Sequence, residues 1–357
     1  MLKQMLELED IGLVPADVPN NGNPELGKVS FNVVNSEDNS VSLPIFTSPM
    51  QSVVSGNNYQ TFFSKGIRPV LAKSEDIGYR LEGCQYIFAS FTLREIHQYF
   101  LSSKRVSDKL FRVCIETGNG HDIEILNVAA ALRRLYGNQV CIMAGNIGNP
   151  KLYIDYCKAG IDYVRVGLGS SSCVRSEVYG FYYPMASLLI DILGVKNTAC
   201  TGLRHTKIIA DGGIYTPVDI IKAIALGADY VMMGRGLARL AEAAGPVISK
   251  TKDGNQTELN RDAVAAMGKA ELREKHVLRL YSPTAMYDPA VRPDTYDLIH
   301  NTRKSSEVKD EWINVTSNLQ IWLLELYDVF QYAFLMGRAL NWSEYKNNIK
   351  FVRIPRY

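Results

Sequence analysis

Cys173 closes a run rich in glycine and serine, Gly167-Leu168-Gly169-Ser170-Ser171-Ser172-Cys173. A cysteine after such a turn can stand exposed, and the turn amides with Arg175 close by favour the thiolate that acts as a nucleophile. A lone cysteine is also commonly an inert core filler, so both readings stay open on chemistry alone. Two other segments suit an anion. Asp211-Gly212-Gly213 and Gly234-Arg235-Gly236 leave backbone N–H groups without a Cβ in the way, and Arg235 adds a fixed charge. Each also reads as a plain tight turn. Glu116-Thr117-Gly118-Asn119-Gly120 and Gly145-Asn146 carry polar groups able to meet a ribose or a carboxamide, or they are simple Asn/Gly turns. No glycine-rich segment has the GxGxxG or P-loop spacing, so a Rossmann or Walker nucleotide site has no support.

These residues need a frame that brings them to one place. Eight short apolar runs recur: Leu43 to Thr47, Ile67 to Ala72, Tyr86 to Ser90, Phe111 to Ile115, Gln139 to Met143, Tyr163 to Val166, Lys207 to Ala210 and Tyr230 to Met233. They are near-continuously apolar rather than alternating, as a parallel sheet covered on both faces requires. Mixed helical patterns separate them, so the units are β-α. Eight such units without a Pro/Gly/Ser-rich linker predict one (β/α)8 TIM barrel domain over residues 1–357. Residues 1–40 form an N-terminal arm, and the pattern lapses over 246–315 into a polar flap or insert. The run Asn318 to Arg338 has the amphipathic spacing of an eighth helix packed on the barrel. In such a barrel the site lies on the loops after the strands, with a phosphate often held after strands seven and eight. The two anion-suited turns end those two strands.

Composition narrows the partner. Of the 357 residues, 39 Lys and Arg face 37 Asp and Glu, a net charge of +2 that argues against a nucleic acid or an anionic membrane surface. A small molecule is the default. No apolar run approaches a membrane span, and the acids in MLKQMLELED exclude a signal peptide at that place, so the expectation is cytoplasmic. Six cysteines without CxxC spacing and five histidines without HxxxH or HExxH give no zinc site or disulfide framework; Cys114 and Cys141 sit inside strands as small hydrophobes.

The assembled motifs resemble the IMP dehydrogenase and GMP reductase family of purine nucleotide enzymes along nearly the whole chain. LELEDIGLVPADV (Leu6 to Val18), LPIFTSPMQSV (Leu43 to Val53), IMAGNIG (Ile142 to Gly148) and KFVRI (Lys350 to Ile354) are similar to its motifs. The block IIADGGIYTPVDIIKAIALGADYVMMG (Ile208 to Gly234) is the most specific. Cys173 falls at the family's catalytic cysteine, with Gly180, Tyr183 and Pro184 at the family's downstream spacing. The resemblance implies attack by that cysteine on C2 of a purine 5′-monophosphate and hydride exchange with a nicotinamide cofactor. Ser48 and Met50 would line the nucleotide pocket, Asp211 would bind the ribose, and Gly212, Gly213, Gly234 and Arg235 would hold the phosphate. Glu116, Asn119, Gly145 and Asn146 would face the cofactor; Lys73 reads equally as a cofactor contact or plain surface. A homotetramer is implied, as is a monovalent cation such as K+ near Gly167, Gly169 and Cys173.

Within the family, length, the short flap and the Asn119-Gly120 turn resemble GMP reductase, which uses NADPH; Glu307 would be its acid-base residue. The dehydrogenase uses NAD and an Arg-Tyr pair on a longer flap, usually with an inserted regulatory (CBS) domain for which no segment is available here. Ser48-Pro49-Met50 nevertheless resembles the dehydrogenase. Arg175 stands where the reductase has Thr and Ser176 where an Arg is usual. A guanidinium there stabilises a thiolate but cannot deliver a proton. The proton step then falls to Ser176 or Glu307. A divergent member acting on a modified purine nucleotide, or binding one without turnover, is the third expectation.

Overall fold

The computed structural model describes residues 5–17, 28–102, 109–117, 119–168, 180–200, 206–251, 253–281 and 311–354. Eight strands make its central sheet: β1 (Ile45–Thr47), β2 (Val70–Leu71), β3 (Phe88–Phe91), β4 (Phe111–Glu116), β5 (Val140–Ile147), β6 (Tyr163–Val166), β7 (Lys207–Asp211) and β8 (Tyr230–Met233). All pairings are parallel, in the order β1-β8-β7-β6-β5-β4-β3-β2. The ring closes where Phe46 bridges Arg68: the Arg68 amide donates to the Ile45 carbonyl at 2.9 Å, and the Thr47 amide to the Arg68 carbonyl at 3.0 Å. The chain is a TIM barrel, as the eight apolar runs predict, each strand overlapping its run; β5 continues four residues past Met143.

Every residue of β1, β3, β4, β6 and β8 is buried, which explains the missing alternation. One set of side chains fills the barrel, including Phe46, Phe88, Tyr163 and Tyr230. The opposite set packs under the helices. Those helices begin where short polar side chains satisfy free amides. Asp122 caps Ile123–Tyr136, and Thr216 with Asp219 forms a capping box ahead of Pro217–Ala225. Asn318 caps Leu319–Gly337, the expected eighth helix, which ends at Arg338 in the left-handed region at φ 48°. Cys114 and Cys141 are buried in their strands as expected.

The described part of the 246–315 segment is more ordered than its polarity suggests. Gln256–Glu258, Val247–Lys250, Val277–Tyr281 and Glu311–Asn314 pair in that order as an antiparallel sheet. Burial alternates along Val277–Tyr281, so one face meets solvent and no continuous apolar run marks it. Arg279 is fully buried and donates to the carbonyls of Ala241 at 2.8 Å, Gly245 at 2.5 Å, Leu240 at 3.2 Å and Ala243, tying this sheet to the loop after β8. In the N-terminal arm, Ile11–Val14 pairs antiparallel with Lys350–Arg353. A hairpin, Val33–Val34 with Val41–Ser42, lies beneath the barrel.

Candidate active site

The carboxyl ends of β4, β5, β6 and β7 meet in one ionic cluster. Arg165, the third residue of β6, points inward and donates through Nη1 to Glu116 Oε2 and through Nε to Asp211 Oδ2, both at 2.8 Å. Asn146 Nδ2 donates to the same Asp211 oxygen at 2.8 Å. All three charged side chains are buried. Burial works against the Arg165 charge, but Glu116 and Asp211 outweigh it and raise its pKa. Cys114, beneath the cluster, has its thiol pushed up to about 12 by burial and by Glu116, so it is protonated and inert. One charge of Arg165 faces two carboxylates, and Asp211 Oδ1 receives no hydrogen bond among the described residues.

Asp211 forms one wall of an open cleft with Ser48, Met50, Gly212, Gly213, Gly234, Arg235 and Tyr281. The chain therefore gathers the predicted nucleotide-pocket residues from three strand ends, β1, β7 and β8. The Ser48 amide donates to the Met233 carbonyl at 2.9 Å, which holds the β1 loop against β8. Gly212 and Gly213 have φ of 111° and 75°, a region other residues rarely enter. Arg235 makes a two-pronged pair with Glu311, its Nη2 lying 3.1 Å from Oε2, and stands 5.8 Å from the centre of the Tyr281 ring.

The predicted cofactor residues lie on the other side of the rim. The Gly120 backbone presses against Asn146 so closely that a Cβ there would lie 2.0 Å from the Asn146 carbonyl oxygen. His121 Nε2 accepts the Gly148 amide at 3.1 Å, and burial lowers its pKa, which keeps the ring neutral. Asn119 is exposed; its Oδ1 accepts the His121 amide while its Nδ2 has no partner among the described residues. Asn146 Oδ1 is likewise unengaged there. A donor and an acceptor on one rim fit a carboxamide. Lys73 follows β2 and is half-buried. Cys173, Arg175, Ser176, Glu307 and Gly169 lie outside the described residues, as does the cation position apart from Gly167. Gly167 is held by contact: a Cβ there would lie 2.0 Å from the Asp211 carbonyl oxygen. Among the described residues no group of three or more His, Cys, Asp and Glu could hold a metal ion.

Sequence reasoning missed Arg165, Tyr281 and Glu311. Arg165 carries a signal in hindsight, a charge in the middle of an otherwise apolar strand. Tyr281 and Glu311 carry none, because a pairing between distant short strands brings them to the cleft.

Comparison with known proteins bears on this arrangement. Residues 103–279, from before β4 to the Tyr281 strand, match the family model described as IMP dehydrogenase / GMP reductase domain. This part of the chain is an IMP dehydrogenase / GMP reductase domain. Relatives carry both names. An inosine-5′-monophosphate dehydrogenase of Chlorobaculum parvum is 38% identical over 137 residues, which are 38% of this chain and 26% of that protein. A GMP reductase of Vibrio cholerae is 35% identical over 149 residues, covering 41% of this chain and 40% of that one. A GMP reductase of Leishmania donovani is 36% identical over 169 residues, or 46% and 32%. The matched segment thus spans less than half the length of these relatives. The crystal structure of inosine 5′-monophosphate dehydrogenase from Legionella pneumophila superposes with a TM-score of 0.71 over 99% of both chains at 21% identity, a likeness of fold. Within this family the Asp211 and Gly234 turns fall inside the matched domain, whereas Ser48 and Met50 lie ahead of it.

Proposed function

We propose that the chain is a purine nucleotide oxidoreductase of GMP reductase type, converting GMP to IMP and ammonia with NADPH. The observation that carries the reading is Asp211. One carboxylate oxygen is fixed by Arg165 and Asn146 and the other is left for a ligand, in a cleft whose far wall is the glycine turns and Arg235. A ribose supplies two hydroxyl donors for such an oxygen, and its 5′-phosphate reaches amides and a guanidinium. In this reading the Cys173 thiolate adds to C2 of GMP. The C2 amino group leaves as ammonia once protonated through Glu307 or Ser176, giving a thioimidate. Hydride addition at C2 then expels the thiolate and yields IMP. The bound nicotinamide supplies that hydride. Asn119 and Asn146 hold its carboxamide, and Arg175 keeps Cys173 ionised. A K+ ion at Gly167, Gly169 and Cys173 belongs to the same reading, as do a cytoplasmic location and a homotetramer.

A second reading, IMP oxidation with NAD, has specific support in Ser48-Pro49-Met50. The absorbance of the reduced cofactor separates the two. Loss with GMP and NADPH only is the expected result, and a gain with IMP and NAD only makes the chain a dehydrogenase. Cys173→Ala should abolish turnover in either direction while leaving nucleotide binding intact. If folded wild type shows neither change but still binds nucleotide, the chain is a binder without turnover. A series over monovalent cations tests K+, and light scattering tests the tetramer.

A further inference from the structure

We propose that Glu311 is a built-in competitor for the nucleotide's phosphate and thereby sets the charge the site demands of its ligand. The proposal rests on the reading of Arg235 as a phosphate-binding residue. Among the described residues Arg235 is the sole cationic side chain lining the cleft. Both its prongs are taken by Glu311, which offers two oxygens in the geometry that also suits a phosphate. Placement comes from the antiparallel register: Tyr281 and Glu311 lie directly opposite each other, and Tyr281 lines the cleft. The Arg235 guanidinium lies near the Tyr281 ring, so it is held for whichever anion takes its prongs.

Several observations make the pair exchangeable. Both side chains are partly exposed, at 25% for Arg235 and 35% for Glu311. Solvent reaches both groups and screens the pair. Among the described residues the Glu311 carboxylate has no hydrogen-bond partner besides Arg235, and it stands at the first residue of its strand, so its release breaks no other hydrogen bond there. A phosphate monoester carries up to two charges near neutral pH against one for a carboxylate, and it also reaches the glycine amides. It displaces Glu311 where a carboxylate or an uncharged ligand does not. The carboxylate thus filters for nucleoside monophosphates and keeps the arginine engaged between ligands.

Calorimetric titration of the full chain with IMP and GMP, and with inosine and guanosine, tests this. A site occupied by its own carboxylate lowers apparent affinity by the fraction left free, so Glu311→Gln should tighten monophosphate binding about three- to tenfold. Nucleoside affinity should not move. Glu311→Ser should act in the same direction if the glutamine variant folds poorly, with thermal unfolding as the control for folding. Unchanged or weaker monophosphate binding in both folded variants, while Arg235→Ala still weakens it, overturns the role of Glu311 and leaves the functional reading standing. If Arg235→Ala leaves monophosphate affinity unchanged, the phosphate site itself is misplaced and both fail.

Discussion

The barrel has a buried arginine with carboxylates at each mouth, and the two clusters do opposite work. At the lower mouth, where the strands begin, the Arg68 guanidinium lies 4.4 Å from the centre of the Phe46 ring and within 5.5 Å of Phe88, Tyr163 and Tyr230. The hairpin of the N-terminal arm inserts Glu37 there. Glu37 takes a hydrogen bond from Tyr163 at 2.6 Å and pairs with Arg68, while Asp38 pairs with Arg112. Two cations meet two anions and rings close the barrel axis, although a pocket of about 210 Å³ stays open beside Arg68 and Arg112. At the upper mouth one cation, Arg165, meets two carboxylates, and glycines replace the rings. That arrangement leaves an acceptor unused and room beside it. Along the axis the lower cluster is therefore a plug of balanced charge, and the upper one keeps a free acceptor.

The largest expected effect breaks the plug. Glu37→Ala leaves Arg68 buried without its carboxylate and should cost about 3–5 kcal/mol of stability by urea unfolding, with nucleotide affinity of the folded protein unchanged. An affinity loss in that variant would mean that the two mouths are coupled. Next comes the upper mouth. Asp211→Asn keeps size and one hydrogen bond but removes the charged acceptor, and should weaken nucleotide binding by about tenfold or more, equivalent to roughly 1.4 kcal/mol. Its unfolding midpoint should move less than that of Glu37→Ala; the reverse order would make Asp211 a structural residue. The smallest effect concerns His121. Its pKa in the fold lies below the ordinary 6.5 because of burial, so the neutral ring's bond to the Gly148 amide is fully present above that value. The contribution is lost as pH falls below 6.5 towards the folded pKa. Protection of the Gly148 amide from hydrogen exchange should drop across that range, and His121→Phe should abolish the step.

The barrel was legible because parallel strands covered on both faces leave a local signature, and Leu319–Gly337 because its cap and spacing are local too. The Asp211 and Gly234 turns were legible for a related reason: chain order alone puts them after strands seven and eight, and barrel geometry does the rest. The sheet made by Val247–Lys250, Val277–Tyr281 and their partners was not legible. Its strands are short, one-sided and paired across long separations.

The sequence by itself thus determined the barrel, the family and the positions of Asp211, Gly213, Gly234 and Arg235 at one rim, because each follows from a local pattern repeated in a fixed order. Only the tertiary structure decided which charges meet. It joined Arg165 to Glu116 and Asp211, Glu37 to Arg68, and Glu311 to Arg235 across 49, 46, 31 and 76 residues of chain. Pairing over such distances depends on strand register and on which side chains face inward, and neither is written in the spacing of the residues themselves.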